Sequence, residues 1–173
     1  YNLAWKYTQR NKGKLILMSG LSGSGKSTIA KNLAQEINAI HLRSDAVRKH
    51  LAGISLKEKG DNSIYSADMT EKTYNRLLEL GKLLTKQGFT VILDANYDRL
   101  NLRQRVLDFA MENNLDLEIL YCDAPLEILS DRLTKRSGDI SDATPNLLQQ
   151  QKANFEDFTE VEKAYVKIMA LPT

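Results

Sequence analysis

Cysteine is almost absent from this chain: Cys122 is the only one in 173 residues. A single thiol can form no internal disulfide and cannot build a cysteine zinc site. That scarcity fits a reducing compartment, and a cytoplasmic location is expected. Histidine is nearly as scarce, with only His41 and His50. Neither a zinc centre nor a Ser-His-Asp hydrolase finds its partners here. Charge of one sign is lacking too: 24 basic and 22 acidic residues leave a net +2. That is too near balance to imply nucleic acid by itself. Trp5 and the tyrosines are too scattered for a base-stacking platform. No apolar run approaches the roughly 20 residues of a membrane-spanning helix, and no leader of the secretory kind opens the chain, so no membrane partner is expected. Repeats and low-complexity tracts are absent.

What is present is an ordinary globular composition, 42% apolar and 27% charged. The length suits one sizeable domain with a real core. The chain starts at Tyr1 rather than Met. Residues 1–13 are polar and aromatic without clear period and read as an N-terminal extension or linker, with the domain over 14–173.

Short apolar runs alternate with helical stretches. Leu15–Met18 reads as a buried strand, and Ile29, Leu33 and Ile37 form one helical stripe after it. Ile40–Leu42 is a second strand and 45–52 a short helix. Residues 55–67 read as a long polar loop of the functional or mobile kind. Asp68 and Glu71 have capping-box-like spacing before a helix carrying Tyr74, Leu77, Leu78 and Leu84, with Gly88 just past its C-cap. Phe89–Leu93 is the clearest strand. A helix over Leu102–Ala110 and an alternating strand at Leu117, Ile119 and Tyr121 follow. Pro125 reads as the first helical position of a helix running to about Arg136. Thr144 and Pro145 open a further helix to Gln151, and Tyr165–Met169 reads as a last strand. Such alternation predicts a parallel sheet with helices on both faces and a ligand site beyond the carboxyl ends of the strands.

One of those ends carries Gly20-Leu21-Ser22-Gly23-Ser24-Gly25-Lys26-Ser27, followed by Thr28. Glycines let successive N–H groups turn inward around phosphate oxygens. Lys26 reaches the β- and γ-phosphates, and the Ser27 hydroxyl suits Mg²⁺. The pattern predicts binding of ATP or a close relative. Asp94, ending the strand 89–93, is placed to hold the Mg²⁺ shell, often through water; as an alternative it is a strand-end turn residue. Asn96 could position the same water or the substrate. On the acceptor side, Asp45 could accept a proton from an attacking hydroxyl. Arg48, three residues on, could hold an acidic group or the transferred phosphoryl. The alternative is that Ser44 or Asp45 simply caps a short helix. Arg132 and Arg136, at i and i+4, could close over the nucleotide and offset transition-state charge, or form a solvated basic face. His41, in an apolar strand, reads as structural.

The motifs GLSGSGKST, RSDAVRK, YSADMTEKTYNRLLEL, VILDANY, CDAPLEILSDRLTKR and SDA, in this order, resemble small P-loop kinase-like domains related to polynucleotide 5′-hydroxyl kinase, gluconate kinase and zeta toxin. The likeness is closest to bacterial AAA-type kinase domains of unassigned substrate, often joined to an aminoglycoside-phosphotransferase-like domain. It covers roughly residues 14–151. It implies an α/β P-loop NTPase three-layer sandwich: an about five-stranded parallel sheet in order 2-3-1-4-5, helices on both faces, and a mobile arginine-bearing lid. By position it makes Lys26 and Ser27 the phosphate and Mg²⁺ residues, and Asp45 the catalytic aspartate of the polynucleotide-kinase-like members. Arg48 matches the arginine that follows it, and Arg132 and Arg136 the lid arginines. The chain departs from the group in lacking a phosphatase domain and a strong basic groove, so nucleic acid is not the favoured acceptor. Residues 53–67 carry no sugar signature. The expected function is ATP- and Mg²⁺-dependent phosphoryl transfer to a hydroxyl of a small molecule. The alternatives are a regulatory nucleotide-binding module with little turnover, or a 5′-hydroxyl polynucleotide kinase.

Overall fold

The computed structural model describes residues 13–58, 60, 62–135 and 145–169. Strand β1 (Lys14–Ser19) is buried on both faces after its first residue, as its unbroken apolar run demands. Burying Leu15, Ile16, Leu17 and Met18 contributes about 1.5–3 kcal/mol for each side chain. Helix α1 (Lys26–Ile37), strand β2 (Ile40–Arg43) and helix α2 (Ser44–Ala52) follow, then a 3₁₀ turn at Asn62–Tyr65 and the long helix α3 (Ala67–Lys86). Next come β3 (Thr90–Asp94), α4 (Leu100–Glu112), β4 (Asp116–Cys122), α5 (Leu126–Lys135), α6 (Pro145–Asn154), the short α7 (Glu160–Lys163) and β5 (Val166–Met169).

The five strands form one parallel sheet in the order β2-β3-β1-β4-β5, as the resemblance implied. Alternate residues divide the core. Leu15, Leu17, Val91, Leu93, Leu117 and Ile119 pack with α3 and α4 on one face. Ile16, Met18, Ile92, Leu120 and Cys122 pack with Ala30, Ile29 and Leu33 of α1 on the other. The result is three layers with β1 at the centre. No helix among the described residues is long and apolar enough to cross a membrane.

The cap of α3 corrects the sequence reading. The N-cap is Ser66, whose hydroxyl accepts from the Met69 N–H at 3.2 Å. Asp68 and Glu71 do not form a capping box. Asp68 pairs with Lys72 at 2.9 Å, and Glu71 reaches across to Arg105 at 2.6 Å. At the other end Gly88 stands past the C-cap, as expected. Its φ is +92°, and its N–H and that of Phe89 satisfy the carbonyls of Thr85 and Leu84. Helix α5 starts one residue after Pro125, whose carbonyl accepts from the Leu129 N–H at 3.1 Å. Thr144 lies outside the described residues.

The C-terminal segment is tied back into the domain by one buried arginine. Arg103 on α4 and Glu162 on α7 are both wholly buried and meet at 2.7 Å. The same guanidinium donates to the carbonyls of Tyr97, Glu156 and Asp157. It also lies 4.8 Å from the centre of the Phe158 ring.

Candidate active site

The loop after β1 is pinned at its start. Gly20 has φ +137°, and a Cβ there would stand 2.5 Å from the Cys122 carbonyl oxygen. No other residue type fits that approach without movement. The Gly20 N–H and the Ser19 hydroxyl both donate to the Asn96 carbonyl, each at 3.0 Å. The turn is thereby held between the ends of β4 and β3. At its far side Gly25, with φ +90°, is the N-cap of α1 and makes no side-chain cap bond. The first turn of α1 carries no acidic residue. The helix terminus is therefore left for an external anion. Lys26, 7% exposed, donates to the Leu21 carbonyl at 2.8 Å. Thr28 is exposed on α1 and is not part of the cleft wall.

Asp94 lies almost wholly inside the protein, where the parallel register of β3 on β2 brings Arg43 opposite it. Its Oδ2 accepts from the Ser27 hydroxyl at 2.8 Å and lies 2.8 Å from His41 Nε2. Burial opposes ionisation, but the His41 contact, the Lys26 ammonium and the Ser27 hydroxyl outweigh it. They hold this carboxyl below the ordinary carboxylate value. An ionised carboxylate beside a hydroxyl is a hard-oxygen pair that fits Mg²⁺. Among the described residues no group of three or more His, Cys, Asp or Glu could hold a metal by itself. The pair suits a cation that takes its other ligands from phosphate and water.

These groups line one wall of a cavity of about 250 Å³. Asp45 and Arg48 line it from α2, Tyr65 and Thr70 from the turn and the start of α3, and Asp98 and Arg99 from the loop after β3. Ser44 and Asp45 lie inside α2; its N-cap is Arg43, with no side-chain cap bond. A capping role therefore does not account for Asp45. Arg48 is more committed than its spacing suggested. Its Nη1 donates to the Ile64 carbonyl at 2.9 Å and to Thr70 Oγ1 at 3.1 Å, and it lies 5.0 Å over the Tyr65 ring. Its Nε is buried with no hydrogen-bond partner among the described residues. Arg48 thus fastens the cavity wall opposite the phosphate loop as well as facing the cavity. Arg132 sits half-buried on α5 and does not line the cavity. Arg136 lies outside the described residues.

Sequence reasoning missed three participants. His41, read as structural, is the side chain that steadies Asp94; only the strand register could have revealed it. Asp98 lies four residues past Asp94, and burial pushes its carboxyl above the ordinary value, with Arg99 and Arg103 pulling it partly back. Its backbone carbonyl accepts from the Glu156 N–H at 2.7 Å, so the C-terminal segment supports this part of the cavity wall. Gln151 reaches the phosphate loop from a distant helix, and nothing local in the sequence signals it.

A family model described as an AAA domain matches residues 15–158. Among curated proteins, an uncharacterized protein of Mycobacterium tuberculosis is 29% identical over 160 residues, covering 90% of this chain and 32% of its own length. The chain thus spans about a third of the length of that relative. The guanylate kinase of Rickettsia prowazekii is 31% identical over 163 residues, covering 84% of this chain and 78% of its own. Among solved structures, a sugar kinase from Janibacter superposes with a TM-score of 0.66 at 23% identity, covering 92% and 86% of the two chains. The Mycobacterium tuberculosis APS kinase in complex with AMPPNP and APS gives 0.62 at 22% identity, covering 92% and 89%. These two likenesses show the fold.

Proposed function

The chain belongs to that AAA-domain family of P-loop kinases, and from that premise we propose that it transfers the γ-phosphoryl group of ATP to a hydroxyl of a small molecule. The observation that carries the reading is the Ser27–Asp94 contact at 2.8 Å, set in the same cavity as Asp45. A donor-side cation site and an acceptor-side carboxylate in one cleft are what phosphoryl transfer needs and what simple nucleotide binding does not.

In this reading residues 20–28 cradle the phosphates through backbone N–H groups and the start of α1. Lys26 leaves the Leu21 carbonyl for the β- and γ-phosphates. Ser27 and Asp94 would hold Mg²⁺, which supplies charge neutralisation between those phosphates. Asp45 accepts the proton of the acceptor hydroxyl as its oxygen attacks. Arg48 keeps the acceptor wall in register and offers Nε. Arg132 and Arg136 close over the nucleotide, exclude water and so limit its hydrolysis.

The test is uptake of labelled γ-phosphate by a panel of hydroxyl compounds, with 5′-hydroxyl oligonucleotides included. Asp45→Asn is expected to slow transfer by about 10²–10⁴-fold and leave AMPPNP affinity nearly unchanged. Transfer at the original rate would remove Asp45 from the base role. A native protein that binds AMPPNP but labels no acceptor would favour a regulatory nucleotide-binding module.

A further inference from the structure

Gln151 lies in α6, 129 residues from the phosphate loop, yet it touches that loop twice. The Ser22 N–H donates to Gln151 Oε1 at 3.0 Å, and Gln151 Nε2 donates to Ser22 Oγ at 3.0 Å. A backbone N–H can only donate, so the amide oxygen is fixed toward it and the NH₂ toward the hydroxyl. One turn earlier, Leu148 is buried in a cluster with Leu129, and Leu21 packs against that cluster. Helix α6 therefore rests on two consecutive residues of the loop, and the carboxamide has one orientation.

A carboxamide has two donor hydrogens and two acceptor lone pairs. Ser22 engages one of each, leaving one N–H and one lone pair among the described contacts. Gln151 lines the same cavity as Lys26, Ser27 and Asp94. The Lys26 ammonium, 2.8 Å from the Leu21 carbonyl, stands at the residue adjoining Ser22. A lysine at this place in such a loop meets the β- and γ-phosphates. The free N–H thus belongs to the end of the cleft that receives the terminal phosphate.

We propose that Gln151 is a contact for the terminal phosphate of the bound nucleotide, held in place by Ser22 and donating its second amide N–H to a γ-phosphate oxygen. It thereby distinguishes a triphosphate from a diphosphate. The proposal rests on the nucleotide-binding part of the function above. A neutral amide adds a donor beside Lys26 without adding a titrating group. The competing role is a plain clamp between α6 and the loop, which would be indifferent to the number of phosphates.

Calorimetric titration of AMPPNP and of ADP, each with Mg²⁺, separates the two roles. Gln151→Ala should lower the AMPPNP-over-ADP preference about tenfold, the range of one hydrogen bond to a charged group, with ADP affinity kept within about twofold. Gln151→Glu keeps an oxygen for the Ser22 N–H but loses the donor and brings a negative charge to the phosphate, so the preference should fall further. That variant also decides the matter if the alanine form fails to fold. An unchanged ratio, or equal losses for both nucleotides with a lowered melting temperature, overturns the proposal. A native protein that binds neither nucleotide overturns it together with the proposed function. Transfer activity in the native protein with an unmoved ratio overturns the contact alone. A shifted ratio in a protein that transfers nothing overturns the kinase reading alone.

Discussion

His41 Nε2 lies 2.8 Å from Asp94 Oδ2, so an imidazole on edge strand β2 steadies a carboxylate on its neighbour β3. The parallel register sets this pair, with His41 opposite Ile92 and Arg43 opposite Asp94. Asp94 is thereby held ionised, the state that the proposed cation role requires.

The pair has a pH signature. Asp94 titrates below its ordinary value of 3.8 in the folded protein. A depressed folded pKa contributes stability above that ordinary value and loses it as pH falls through the folded one. His41→Ala removes a contact that holds the pKa down, so acid unfolding should begin at higher pH than in the native protein. At neutral pH the lost hydrogen bond should cost about 1–3 kcal/mol. Circular dichroism during an acid titration measures the first effect; a coincident midpoint would remove His41 from this role.

Arg103 and Glu162 offer a test of the C-terminal tie. Both side chains are fully buried, so removing one leaves a charge without its partner. Arg103→Met should cost about 3–5 kcal/mol. The double change Arg103→Met with Glu162→Leu should recover part of that loss, because no isolated charge remains. Denaturant unfolding of the three proteins gives the comparison. A single variant as stable as the native protein would show that the pair does not hold the segment.

The proposed closure by Arg132 and Arg136 calls for a kinetic split. Arg132→Ala combined with Arg136→Ala should slow transfer by about 10²-fold or more while ADP affinity changes only a few-fold. Equal losses in rate and in ADP binding would reduce these residues to simple nucleotide contacts.

The sheet was legible because β1 and β3 carry apolar runs too strong for any surface element and β4 an alternating one, each ending at a polar or glycine-bearing turn. The phosphate loop was legible because its glycines answer a local need, seen in Gly20 against the Cys122 carbonyl. Contacts set by distant chain were not. Asp68 and Glu71 have cap spacing, yet Ser66 lies nearer the helix start and Arg105 draws Glu71 away. Arg48 shares a helix turn with Asp45, but its guanidinium is directed by Ile64 and Thr70. His41 needed strand register, and Gln151 needed the docking of α6. Spacing along one helix says which residues share a face; it does not say what that face will meet.

The tie at Arg103 also orders assembly in time. A chain is made from its N-terminus, and Glu162 is 59 residues beyond Arg103 and past residue 158, where the family match ends. Strands β1, β3 and β4 and the phosphate loop are all complete by Cys122. A growing chain therefore possesses the phosphate loop, Asp45 and Arg48 while Arg103 still lacks its counter-ion and Asp98 its support from Glu156. Every residue that lines the cleft, Gln151 included, is thus synthesised before Glu156 and Glu162, so the tie closes over a cavity whose parts are already in the chain.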